Sequence, residues 1–175
     1  MCTVDLANAS VYVGTYRKYN EGSLFGAWLN ISDYFDKDDF LAACFALHAD
    51  EPEAELMFQG WENIPAGLID ESWISEALFD IESQLDAHRI DNDAFFSFVE
   101  YYGYDLDADT DAAIRAFEDK FQGAFESEED FAEMMLGECY ELPDFALRYF
   151  DYEKFARDLF MDGYIFFDGY VFSEY

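Results

Sequence analysis

Carboxylates and large aromatic side chains are mixed along the whole of this chain, and that mixture limits what the chain can be. Its 175 residues hold 40 Asp or Glu against nine Lys or Arg, a formal charge of −31. They also hold 20 Phe, 13 Tyr and 3 Trp, and 52% of the chain is apolar. Acidic disordered tails lack aromatics and cannot bury enough apolar surface to offset chain entropy. This chain can, so it folds against its own repulsion and its acidity has a use at the surface. The charge is not gathered in one block: residues 1–61 carry a net −7, residues 62–110 a net −12 and residues 111–175 a net −12. The folded body itself is acidic.

The sign of the charge excludes nucleic acid as a partner, because phosphate binding needs a basic surface. It argues in the same way against an anionic membrane surface. No apolar run approaches the ~18 residues of a membrane-spanning helix. The N-terminus, MCTVDLANAS, has neither the basic nor the apolar region of a signal peptide. Cys2, Cys44 and Cys139 are odd in number and lack metal-site spacing. They fit a reducing cytoplasm better than a disulfide framework.

The length fits one domain of ordinary size or two to three very small ones. Periodicity predicts an α+β chain in three parts, with mixed α/β ends and a helical middle, over residues 1–61, 62–110 and 111–175. Val11–Tyr16, Leu24–Ile31 and Glu55–Trp61 read as strands. Asp36 caps a helix to about Ala49 that turns Phe40, Cys44, Leu47 and His48 inward. In the middle, Ile69–His88 reads as one helix with Asp70 or Ser72 as its start signal. Asp91–Tyr102, ended by Gly103, reads as a second, and Thr110–Phe121 as a third. Beyond these come a short strand within 120–125 and a helix from Ser127 to Cys139. A short helix opened by Pro143 and one capped by Asp151 follow, then a hairpin turning at Asp168-Gly169.

The chemical motifs are weak. Asp105, Asp107, Asp109 and Asp111 have the spacing of a calcium loop, but Thr110 stands where the turn glycine belongs and Ala116 where the bidentate Glu belongs. The row is expected to be a solvated acidic loop between helices. His48 is expected in the core, and His88 at a helix C-terminus, where a cation is favourable. Arg17 and Lys18, among Tyr12, Tyr16 and Tyr19, would suggest RNA stacking in a basic protein. At −31 they are expected to pair with acids. No nucleotide-binding, zinc-protease or serine-hydrolase motif occurs. The chain is read as a binding protein and not an enzyme, with no cofactor and no metal.

The charge is then the leading feature. Duplex DNA carries about one charge per 1.7 Å, so 31 charges match roughly 53 Å, or about 15 base pairs. A sphere of this chain length is only about 40 Å across. A DNA-like track therefore calls for an elongated molecule, and a dimer doubles it. Charge alone leaves three alternatives open: a generic acidic or halophilic protein, an inhibitor or chaperone of another basic protein such as a nucleoid protein or nuclease, or an enzyme with a carboxylate pair.

Five segments carry a more specific signal. Residues 12–29, YVGTYRKYNEGSLFGAWL, resemble the N-terminal signature of the ArdA antirestriction proteins of mobile elements. FQGWENIP (58–65), EYYG (100–103), GAFESEEDFAE (123–133) and YFDYEKFARDLFMDGYIFFDGYVF (149–172) follow in the family's order and spacing. The resemblance implies an elongated homodimer of three-domain chains that mimics bent DNA and occupies the DNA-binding groove of type I restriction–modification enzymes. The phosphate-mimic carboxylates expected on that reading are Asp70, Glu71, Glu76, Asp80, Asp86, Asp105, Asp107, Asp109, Asp111, Glu118, Glu126, Glu128, Glu129 and Glu133. Asp36, Asp91 and Asp151 are assigned to capping. The family's antirestriction motif and dimer contact are placed near Phe131, Met134, Met135, Leu136, Cys139 and Tyr140.

Overall fold

A computed structural model describes residues 4–175, so Cys2 lies outside the described residues. The first layer is a three-stranded antiparallel sheet of β1 (Ser10–Thr15), β2 (Ala27–Asn30) and β3 (Leu56–Glu62), in the order β2-β1-β3. Alternation along β1 sets its two faces: Val11 and Val13 are buried, and Tyr12 turns outward to meet Trp28 edge-on at 5.6 Å. The helix α1 (Tyr16–Asn20) follows β1 directly, capped by the Thr15 hydroxyl. The second strand is shorter than expected at its start. A Cβ at Gly26 would overlap the Val13 carbonyl, so the chain passes too close there for any other residue. Asp36 caps α2 (Lys37–Leu47) by accepting from the Asp39 amide at 2.8 Å. The expected face is turned inward, with Phe40, Cys44 and His48 buried and Leu47 half-buried.

Residues 69–88 do not form one helix. They make a hairpin of β4 (Ile69–Asp70) and β5 (Trp73–Ile74), a 3-10 turn at Ala77–Phe79, and the helix α3 (Ile81–His88). The Asp70 carboxylate accepts from the Ser72 amide at 2.8 Å and closes the turn. Asp and Ser compete with helix in this way, through local bonds to the backbone. The pairing Ile69↔Ile74 buries both isoleucines, which a helix would have separated.

The next two helices are α4 (Asn92–Tyr102) and α5 (Leu106–Lys120). Asp91 caps α4, and Gly103 ends it in the left-handed region at φ 70°. The Asp105–Asp111 row is not a loop. It lies in the first turns of α5, capped by Asp105 and broken where Asp109 takes φ −161°, ψ 87°. The Asp109 side chain then accepts from the Ala112 amide at 2.9 Å and restarts the helix at the expected place.

The remaining elements are β6 (Phe121–Ala124), α6 (Glu128–Cys139), α7 (Asp144–Leu147), α8 (Tyr152–Asp162), β7 (Tyr164–Phe167) and β8 (Tyr170–Ser173). Ser127 and Asp151 cap α6 and α8. Pro143 stands one residue before α7. The last hairpin turns at Asp168 and Gly169, with φ of 51° and 89°. Its sheet, ordered β6-β8-β7, is covered on both faces. Phe172 meets Phe98 of α4 at 5.4 Å, while Tyr164 meets Phe131 of α6 at 4.9 Å. Two covered faces explain why the hairpin reads as an unbroken aromatic run and not an alternation.

The fold is thus mixed α/β, with eight α-helices and small antiparallel sheets among the described residues. One buried cluster runs from Leu6 to Phe172. Phe40 touches Phe79 at 5.6 Å, and Phe98 touches Phe117 at 5.5 Å, so aromatic contacts join the three expected segments to one another. A smaller apolar group of Phe131, Ala132, Leu136 and Ala156 packs α6 against α8 beside the final hairpin.

Candidate functional site

The acidic surface is built from the same elements. Of the forty carboxylates, all but Glu51, Glu82 and Asp93 are on exposed residues. Only Glu21, Asp50, Glu118 and Asp158 stand in an ion pair among the described residues. Arg17 and Lys18 are drawn into local contacts with acids, as expected. Arg17 pairs with Glu21 one helical turn on, and Lys18 donates to Asp50 at 2.8 Å. The Lys18 amine also lies over the Phe25 ring and 3.0 Å from His48 Nδ1. His48 is buried. Its Nδ1 accepts from Lys18, which leaves the proton on Nε2, 3.3 Å from the Val13 carbonyl. Lys120 is spent on the Ser173 carbonyl and the Tyr102 ring.

All fourteen expected mimic carboxylates are on exposed residues, and several are held in place by a bond at one oxygen. Asp70 closes its hairpin turn, and Asp80 accepts from the Gln84 side chain at 2.8 Å. Asp105 and Asp109 cap the two parts of α5, while Asp107 accepts from the Ser75 hydroxyl at 2.7 Å. Glu118 meets His88 at 2.8 Å. Hydrogen bonding to Glu71 raises the Tyr16 phenol above its ordinary value. Glu76, Asp86, Asp111, Glu126 and Glu133 are exposed on their segments, and Glu128 and Glu129 fill the first turn of α6, where the helix dipole favours anions. Asp36, Asp91 and Asp151 cap helices as expected. They too are exposed, so capping does not remove them from the charged surface.

Sequence reasoning missed part of this surface. Glu153, Asp158 and Asp162 are exposed on α8. Asp93 and Glu100 on α4, with Asp168 at the hairpin turn, join Asp105 and Asp107 around a groove of about 850 Å³. Its floor includes Leu68, Phe96, Val99 and Leu106. The signal for α4 was present as the i, i+7 spacing of Asp93 and Glu100. Asp168 carried only a turn signal.

The six expected dimer-contact residues are divided. Phe131 and Leu136 are buried inside the chain's own fold, Phe131 against Phe125 and Phe160 at 5.1 and 5.6 Å. Met134 and Met135 are half-buried. Cys139 is exposed, and Tyr140 is 57% exposed. They lead into Phe145 and Tyr149, exposed at 74% and 78%, whose rings meet at a tilt 5.3 Å apart.

The described residues contain no group of three or more His, Cys, Asp or Glu that could hold a metal ion. No described helix is long and apolar enough to cross a membrane. The profile of the family described as antirestriction protein (ArdA) matches residues 11–172. This chain belongs to the ArdA family. The match spans all eight strands apart from the two end residues, Ser10 and Ser173, and every α-helix, so membership applies to the whole fold. No curated protein matches the chain. The family's description is antirestriction protein, which points to a restriction enzyme as the protein partner of the chain.

Proposed function

We propose that this ArdA chain inhibits type I restriction–modification enzymes by standing in for DNA. The observation that carries the reading is the uncompensated surface: nearly every carboxylate is exposed, and among the described residues three of forty pair with Lys or Arg and one with His88. Side chains three and four apart on a helix lie about 5–6 Å from each other at Cβ, so Glu129, Asp130 and Glu133 on α6 and Asp158 and Asp162 on α8 approximate short stretches of a phosphate track. The enzyme's Lys and Arg, which normally hold DNA, meet the fourteen carboxylates named above together with those of α8. Such a complex forms quickly, and salt weakens it.

Shape supports the reading. The chain exposes 10612 Å², against roughly 8,800 Å² for a compact monomer of its mass. The excess fits an elongated arrangement of three small units at 1–61, 62–110 and 111–175, even though aromatic contacts join them. A homodimer would lengthen the track, with Cys139, Tyr140 and the half-buried Met134 and Met135 at its contact, while Phe131 and Leu136 support that segment from within. The protein would act in the cytoplasm, where incoming mobile DNA meets the enzyme.

The test is competition. A purified type I enzyme is titrated with the protein and with duplex DNA at rising salt, alongside plasmid transfer into a restricting host. Mutual displacement that weakens with salt, with restored transfer, is expected. Failure of DNA to compete, or inhibition that salt does not change, would refute the mimic.

A further inference from the structure

The groove over α4 differs from the rest of the acidic surface, because its charges surround an apolar floor. Phe96 and Leu106 are buried beneath it, and Trp73, Val99 and Tyr104 are half-buried along it. Among the described residues no Lys, Arg or His lines it. Four of its rim carboxylates are held by bonds at one oxygen, the other having no bonded partner among the described residues. Asp93 Oδ1 accepts from the Val4 amide at 2.6 Å, Asp107 Oδ1 from Ser75, Asp168 Oδ2 from Ser97 at 3.3 Å, and Asp105 Oδ1 from its own helix. Fixed carboxylates around exposed apolar surface repel one another while the groove is empty, and a cation with an aliphatic stem relieves both costs.

We infer that this groove binds a partner segment in which Arg or Lys side chains alternate with aliphatic ones. The inference rests on the acidic surface being a protein-binding face, and it adds an apolar anchor to a contact otherwise made of charge. Its volume lies within the range of pockets that enclose a ligand, roughly 300–1,000 Å³, so it takes several side chains and not one. Phosphate mimicry has no use for such a floor, since DNA offers a protein's cations no apolar pocket of this kind. Aromatic and Arg contacts in a desolvated pocket dominate binding energy where they occur.

The test uses the whole protein and short peptides. A peptide of alternating Arg and Leu is titrated while amide resonances and the Trp73 indole are followed by NMR. An Arg-Ser peptide of equal charge and a Glu-Leu peptide serve as controls. The Arg-Leu peptide is expected to shift Trp73, Ala66 and Glu100 and to bind about tenfold more tightly than Arg-Ser, the effect of some 1.4 kcal/mol of added apolar contact. Ala66→Phe, at an exposed position on the wall, should block it. Glu100→Gln with Asp168→Asn should weaken it while keeping shape, since Asn tolerates the φ of 51° at position 168. Equal affinity for Arg-Leu and Arg-Ser, shifts spread over α6 and α8 with the groove unmoved, or equal binding of Glu-Leu would each overturn it. Loss of inhibition with peptide binding intact would count against the proposed function alone. Loss of groove binding with inhibition intact would count against this inference alone.

Discussion

Replacing Phe98 with Ala tests whether the three segments of this chain are held by one core. The side chain is fully buried on α4. Its ring lies 4.7 Å from Tyr102, 5.3 Å from Tyr104, 5.5 Å from Phe117 and 5.4 Å from Phe172. Removing it takes ring contacts from α4, α5 and β8 together. Buried Phe→Ala changes cost about 3–5 kcal/mol, and the crowding of fixed rings around Phe98 leaves little room for collapse. For a chain of this length that is a fall in Tm of about 6–20 °C. The assay compares two probes. All three tryptophans, Trp28, Trp61 and Trp73, lie in the first half of the chain and far along it from β8. Far-UV circular dichroism reports chiefly on helices, which concentrate in the second half. If the core is continuous, tryptophan fluorescence and helicity are lost in one transition, and both midpoints move by the same amount. A helical transition that falls while the tryptophan transition stays in place would show that α4, α5 and the hairpin fold as a separate unit. A loss under about 1.5 kcal/mol would refute the crowding from which the magnitude was worked.

Three further outcomes follow from the charges and thiols. Moderate salt should raise Tm, since screening relieves repulsion among unpaired carboxylates and there are few ion pairs to weaken; a thermal melt across a sodium chloride series that falls throughout would contradict this. Burial pushes the Cys44 thiol up to about 12, so alkylation of the native protein followed by peptide mapping should label Cys139 and spare Cys44 until the chain unfolds. The Lys18 amine holds the Asp50 carboxyl below its ordinary value. That contact therefore stabilises the fold above the ordinary carboxylate range, and its contribution is lost as pH falls through the depressed value. Urea midpoints of Asp50→Asn and the parent protein should converge on acidification, and a constant gap down to about pH 2 would show that the pair is not the source.

Sequence alone determined the class of this protein. Its charge, its aromatic content and the five family segments were sufficient for an acidic binding protein of antirestriction type. Local signals also placed most elements, because caps such as Asp36, Ser127 and Asp151 and the Asp168-Gly169 turn act over three or four residues. The hairpin at Ile69–Ile74 was not legible, because its residues fit a helical stripe nearly as well, and only the Asp70 turn and the burial of both isoleucines decide between the two. The site divides in the same way. That carboxylates would be exposed follows from their hydration and can be read residue by residue. That Asp93, Glu100, Asp105, Asp107 and Asp168 surround one apolar groove cannot, since they come together only when α4 packs beside the 63–68 loop and the last hairpin. Charge belongs to each residue and is visible in the chain; the shape that gives a charge its partner depends on contacts between residues far apart, and only the packed core sets those.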